Sequence, residues 1–156
     1  MFRKMRRHDR DMIFNDTIEL LKNGQYGVLS ISGDEGYPYG IPLNYVYDEG
    51  QIYFHSALEG HKIDGINRSN KVSFCIVEEV ETIPNKFSTR YRSVIAFGKV
   101  EEVKDQNEKK AGLLGIIKKY SSDYIDKGMK YIDSDYEKTA VFRIVIEHMT
   151  GKKANE

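Results

Sequence analysis

The chain has 156 residues, enough to bury one hydrophobic core and too few for two ordinary domains joined by a linker. Its 24 Lys and Arg balance 24 Asp and Glu, so no net field points to nucleic acid or an acidic membrane surface, and specificity must reside in a local site. Apolar runs fall far short of the roughly 20 residues needed to cross a bilayer and no secretory pattern opens the chain, so a cytoplasmic location is expected.

In chain order, the basic run FRKMRRHDR at residues 2–10 reads as a solvated lead-in, and residues 1–14 precede the first element of a single 1–156 domain. NDTIELLKNG follows as a short amphipathic helix, capped by Asn15, stopped at Gly24 and burying Phe14, Ile18 and Leu21. The period then changes to two. YGVLSIS, YGIPLNYVYD and QIYFHSA are rich in Tyr, Val and Ile and are separated by turn compositions, which predicts three consecutive antiparallel strands.

EGHKIDGINRSN breaks this alternation and reads as a short helix entered through Gly60. KVSFCIVEEV and TRYRSVIAFGKVEEV return to strand patterning. At about 15 residues the second is long enough to reach past its own barrel, since strands usually run 3–10 residues. The single cysteine, Cys75, reads as a small buried hydrophobe. EKKAGLLGIIKKYSSDY predicts a helix with Leu113, Leu114, Ile117 and Tyr120 on one stripe, and TAVFRIVIEHMTG a final strand. Six antiparallel strands interrupted by helices favour a mainly β fold, a small β-barrel with peripheral helices. Tyr37, Tyr39, Tyr45, Tyr47 and Tyr53 cannot all point into so small a barrel, which predicts an exposed aromatic surface and hence an interface.

Two features carry chemistry. Pro42 cannot donate to a ladder, so it marks an edge, a bulge or a place where a ligand replaces a neighbouring strand. HSALEGHK places His55 and Ser56 at a strand end and Gly60, His61 and Lys62 at a helix start, where free N–H groups and a cation suit a phosphate or another anion. A metal centre is disfavoured, because two histidines fill half of a four-coordinate site. Ser56 lacks the G-x-S-x-G turn of a hydrolase nucleophile, so no catalytic side chain is assigned.

The run from Gly36 through Phe74, with YRSVIAFGKVEEV at 91–103, RIVIEHMTGKKA at 143–154 and the opening RRHDR, resembles the flavin-binding split-barrel proteins related to pyridoxamine 5′-phosphate oxidase. Within them it is similar to the 5-nitroimidazole-resistance group. The resemblance implies a six-stranded antiparallel FMN-binding split barrel that forms a homodimer with FMN at the subunit interface. Carried onto this chain, Pro42, Leu43, Asn44 and Tyr45 line the flavin ring through their backbone, while His55, Ser56, Ala57, His61 and Lys62 hold the ribityl chain and phosphate. Tyr91, Ser93 and Val94 come from the partner. The chain has no Trp and lacks the C-terminal Trp- and Arg-bearing signature of vitamin B6 oxidation.

The implied activity is an FMN-dependent oxidoreductase taking electrons from NAD(P)H or a protein donor to a small flat acceptor such as a nitroimidazole or other nitroaromatic. His61 or a tyrosine is a candidate proton donor to that acceptor. A non-catalytic flavin- or haem-binding carrier or sensor and a ligand-free dimer are the alternatives.

Overall fold

The computed structural model describes residues 1–155. Helix α1 spans Phe14–Asn23 and is followed by strands β1 (Gly27–Ser32), β2 (Pro38–Leu43), β3 (Val46–Asp48) and β4 (Gln51–Ala57). Then come α2 (His61–Arg68), β5 (Lys71–Ile83), β6 (Ser88–Glu102), α3 (Gln106–Tyr120), α4 (Ile125–Asp135) and β7 (Thr139–Ala154). The strands form one antiparallel sheet in the order β2-β1-β5-β6-β7-β4-β3.

The expected six strands are therefore seven. YGIPLNYVYD is two strands, one at each edge of the sheet, joined only by Asn44 and Tyr45. Consecutive Cα atoms lie about 3.8 Å apart, so this link holds Leu43 and Val46 within about 11 Å of each other. The sheet must roll until its two edges meet. No ladder joins β2 to β3 among the described residues, so the barrel stays split along that seam.

Inside the roll lie Leu29, Ile31, Ile52, Phe54, Phe74, Ile76, Val94, Ala96 and Ile144, drawn from alternate positions of five strands. A smaller cluster of Val103, Leu113, Ile132 and Val141 lies outside it, where α3 and α4 cover the outer faces of β4 and β7. Helix α4 is an element the sequence reading did not place, although Ile125, Met129 and Ile132 recur at helical spacing. The outer faces of β5 and β6 carry no such cover: Val77, Ile95 and Phe97 are 48%, 41% and 38% exposed. Cys75 is half-buried on this face, beside Ile95 in the ladder, and burial pushes its thiol pKa up, away from reactivity.

Three local expectations are corrected. Asn15 is not a cap: the helix begins two residues earlier than that cap would set, at Phe14, with Ile13 extended before it and Asp16 in its first turn facing the dipole. Phe14 is exposed, because the buried stripe is Thr17, Leu20 and Leu21, with Thr17 close against Gly151 of β7. The lead-in is not a free tail: the Met12 N–H donates to the Gly151 carbonyl at 2.9 Å, Asp11 bridges Lys152, and Phe2 stacks on His148 with centroids 4.8 Å apart. Among the described residues, no helix is long and apolar enough to cross a membrane.

Candidate functional site

Pro42 and Asn44 are exposed at the seam, and β2 is an edge strand, as a proline in that register requires. Leu43 is half-buried and pairs with Gly27. Tyr45 differs from its neighbours. Its ring is fully buried edge-on to Phe74, centroids 4.8 Å apart, and its hydroxyl donates to the Leu21 carbonyl. Burial raises its phenol pKa, so that proton stays on the oxygen.

Both main-chain groups of Tyr45 are also engaged. Its N–H donates to the Tyr120 hydroxyl at 3.2 Å, and its carbonyl accepts from the Lys119 ammonium at 3.1 Å. The single Tyr120 hydroxyl proton is best placed toward the Gln25 carbonyl at 2.6 Å, against 3.1 Å to the Tyr45 carbonyl. Lys119 also lies 3.8 Å over the Tyr45 ring, a cation–π contact. Tyr45 thus has no free backbone group for a ligand, which leaves Pro42, Leu43 and Asn44 as the main-chain candidates.

Burial pushes the Lys119 pKa down to about 8, with Glu78 pulling the other way; Lys22, Lys118, Asp48 and Glu108 line the adjoining cleft. Between about pH 8 and the unfolded value near 10.5 the unfolded chain holds a proton that the folded chain has lost, so this group makes stability rise with pH across that window. Lys119→Met should abolish that part of the rise. Urea midpoints of both proteins at about pH 7 and about pH 10 measure it, and an unchanged difference between them would reject the assignment.

The second group of residues sits where β4 meets α2. Ile52, Phe54 and Ser56 alternate on the inner face, Ser56 half-buried, while His55 and Ala57 face outward, opposite Val141 and Thr139 of β7. Gly60 precedes α2 at φ 133°, a conformation that penalises any side chain, and no side-chain cap satisfies the helix start. The Lys62 ammonium lies 6.0 Å over the Phe54 ring, on the Ser56 face. It is half-buried, burial lowers its pKa, and no carboxylate reaches it among the described residues. Burial, then Lys62, push the His55 pKa down, so this imidazole is neutral at pH 7 and the local positive charge is that of Lys62.

His61 serves a different place. Its ring stacks on Tyr39 with centroids 3.9 Å apart, and Nε2 is 3.7 Å from Asp34, which is itself bonded to Arg68. Nε2 is buried without a hydrogen-bond partner. The ring therefore anchors α2 to the β1–β2 turn, leaving His61 its main chain as the part at the helix start. Among the described residues, no three His, Cys, Asp or Glu side chains are grouped to hold a metal ion.

Direction and register bring the two groups together. β3 pairs Val46 with Tyr53, so the link that precedes it runs toward the His55 end of β4. Tyr91, Ser93 and Val94 are not brought there: Val94 pairs with Gly151, whereas Ser56 pairs with Ala140, and the 11 residue steps of β7 from one to the other amount to about 36 Å of strand. Val94 faces the core with ladders on both sides, and so offers a ligand neither side chain nor free main chain. Ser93 is buried, and Tyr91 lies beside Lys152 and Arg10, which lower its phenol pKa.

The tyrosines do not form the exposed surface that their number predicted. Tyr45 is core, Tyr39, Tyr47 and Tyr53 are half-buried, and only Tyr37 is exposed. Sequence reasoning also missed Lys119 and Tyr120, whose only local signal was a place on a helix.

No curated protein matches the chain. Among solved structures, a candidate 5-nitroimidazole antibiotic resistance protein from Bacteroides thetaiotaomicron is 26% identical, with a TM-score of 0.75 over 91% of this chain and 85% of that one. A conserved protein of Mycobacterium tuberculosis has a TM-score of 0.82 at 20% identity, over 96% of this chain and 90% of that one. An FAD-binding protein of Mesorhizobium loti has a TM-score of 0.66 at 24% identity, over 94% and 98%. The pyridoxamine 5′-phosphate oxidase family model matches residues 15–153, which takes in every strand from β1 to all but the last residue of β7, and the chain belongs to that family.

Proposed function

We propose that this protein is a flavin-dependent oxidoreductase that holds FMN between two copies of the chain and delivers electrons to a small flat acceptor, a nitroimidazole or another nitroaromatic. The observation that carries this reading is Lys62: a half-buried cation without a carboxylate partner, at a helix start without a side-chain cap, on the face that bears Ser56. Such a group favours an anion with several acceptor oxygens, and a flavin phosphate supplies one.

The residues present fit the cofactor. Lys62, Ser56 and the main chain at the α2 start would hold the phosphate; neutral His55 and Ala57 border it; Pro42, Leu43 and Asn44 offer main chain to the ring edge. Bound flavin would supply the electron transfer, accepting from NAD(P)H or a protein donor. The chain's part is to bind, orient and exclude water. The exposed apolar face of Val77 and Ile95, with Phe97 only partly covered by Phe2, favours a second copy as partner, and Tyr91 and Ser93, whose β7 partners lie far along that strand from the partner of Ser56, would belong to that copy's site.

Visible absorption of the purified protein before and after FMN and then NADH tests the proposal, with sedimentation at each step. The expected result is a dimer whose flavin bands bleach with NADH and return when a nitroaromatic is added. Bands that persist through NADH and then through a protein reductant would make the protein a carrier, and failure to bind FMN would overturn the reading.

A further inference from the structure

We propose that Lys119 and Tyr120, at the C-terminal end of α3, are positioning residues for the flavin ring: by fixing the main chain of Tyr45 they present Leu43 and Asn44 to it in one conformation. This inference rests on the flavin reading above. Two residues, Asn44 and Tyr45, connect the two edges of the sheet, and no ladder holds them. Asn44 is exposed and makes no hydrogen bond among the described residues. A segment so placed would wander between conformations, and a ligand binding to it would bear the entropy of ordering it.

The link is instead immobilised from two helices. From α3 come the Tyr120 hydroxyl, accepting from the Tyr45 N–H, and the Lys119 ammonium, donating to the Tyr45 carbonyl and resting on its ring. From α1 comes the Leu21 carbonyl, which accepts the Tyr45 hydroxyl, and from the turn just after it the Gln25 carbonyl, which accepts that of Tyr120. Every polar group of Tyr45 is satisfied, and its ring is sealed against Phe74. What remains free at the seam is Asn44, just past the last β1–β2 pair at Leu43, on the side that runs toward His55 and the Lys62 helix start. A bound ring would then meet an edge already ordered, which is how preorganisation raises affinity without an added contact.

Tyr120→Phe keeps the ring and removes the hydroxyl; Lys119→Met keeps the stem and removes the charge. In the cofactor-free protein, the Tyr45 amide should exchange its hydrogen slowly in wild type and faster in Tyr120→Phe. With flavin, each variant should bind FMN and riboflavin more weakly by one shared factor, roughly 3- to 10-fold, because the lost bond reaches the ring only through the Tyr45 main chain and costs the flavin no direct contact. The ratio of the two affinities should stay at the wild-type value, because riboflavin shares the ring and lacks the phosphate. Unfolding that merely lowers the competent fraction is corrected by titrating well below each variant's Tm. Wild-type affinity for both flavins in Lys119→Met and in any folded Tyr120→Phe, or an unchanged Tyr45 exchange rate, would overturn the positioning role while leaving the flavin reading intact. A wild-type protein that binds neither flavin would overturn both, and the exchange comparison would still report whether the clamp exists.

Discussion

Lys62→Met should weaken FMN binding by roughly 10- to 150-fold, the range expected when a hydrogen bond to a charged group is removed, and should leave riboflavin binding unchanged. In the cofactor-free chain this lysine is held at a cost. It lies over the Phe54 ring, no carboxylate compensates it among the described residues, and burial lowers its pKa. Methionine retains the apolar stem against Phe54 and removes only the charge, so the cofactor-free variant should be at least as stable as wild type. Fluorescence titration with both flavins gives the answer. Equal losses for FMN and riboflavin would move Lys62 away from the phosphate, and no loss for either would remove it from the site.

Phe74→Ala should cost about 3–5 kcal/mol of stability, the usual penalty for emptying a buried aromatic position. For a chain of this size that is a fall of roughly 6–20 °C in Tm. Phe74 is 1% exposed, lies edge-on to Tyr45, and occupies the space that a side chain at Gly27 would need. Its neighbours in the ladders are Leu29 and Ala96, at the middle of the sheet, so no loop can collapse into the gap. Urea denaturation measures the loss. A cost below about 1 kcal/mol would mean that Tyr45 moves into the vacated volume, and hence that the clamp on its main chain yields.

Much of the fold was legible because the signals are local. The change of period after Gly24, the glycine at position 60 and the long apolar alternation in β6 each depend on residues within a few positions of one another, and β6 at Ser88–Glu102 has the length its pattern implied. Most of the candidate site was also legible, because His55, Ser56, Gly60 and Lys62 lie in one short run. The split of YGIPLNYVYD was not. Nothing in Asn44 or Tyr45 announces that the chain leaves one edge of the sheet and joins the other, because that step is set by the closure of the whole roll.

Local sequence by itself determined most of the strand segments, where the cation and the helix start lie, and that Pro42 interrupts a ladder at an edge, a bulge or a ligand. Only the tertiary structure decided which of those residues a ligand can reach. Tyr45 is withdrawn by partners 74 and 75 positions away in the chain, His61 by its stacking on Tyr39, and Val94 by ladders on both sides. The physical reason is common to all three: whether a main-chain group or a ring nitrogen is free depends on what else has satisfied it, and in this fold those partners come from other elements.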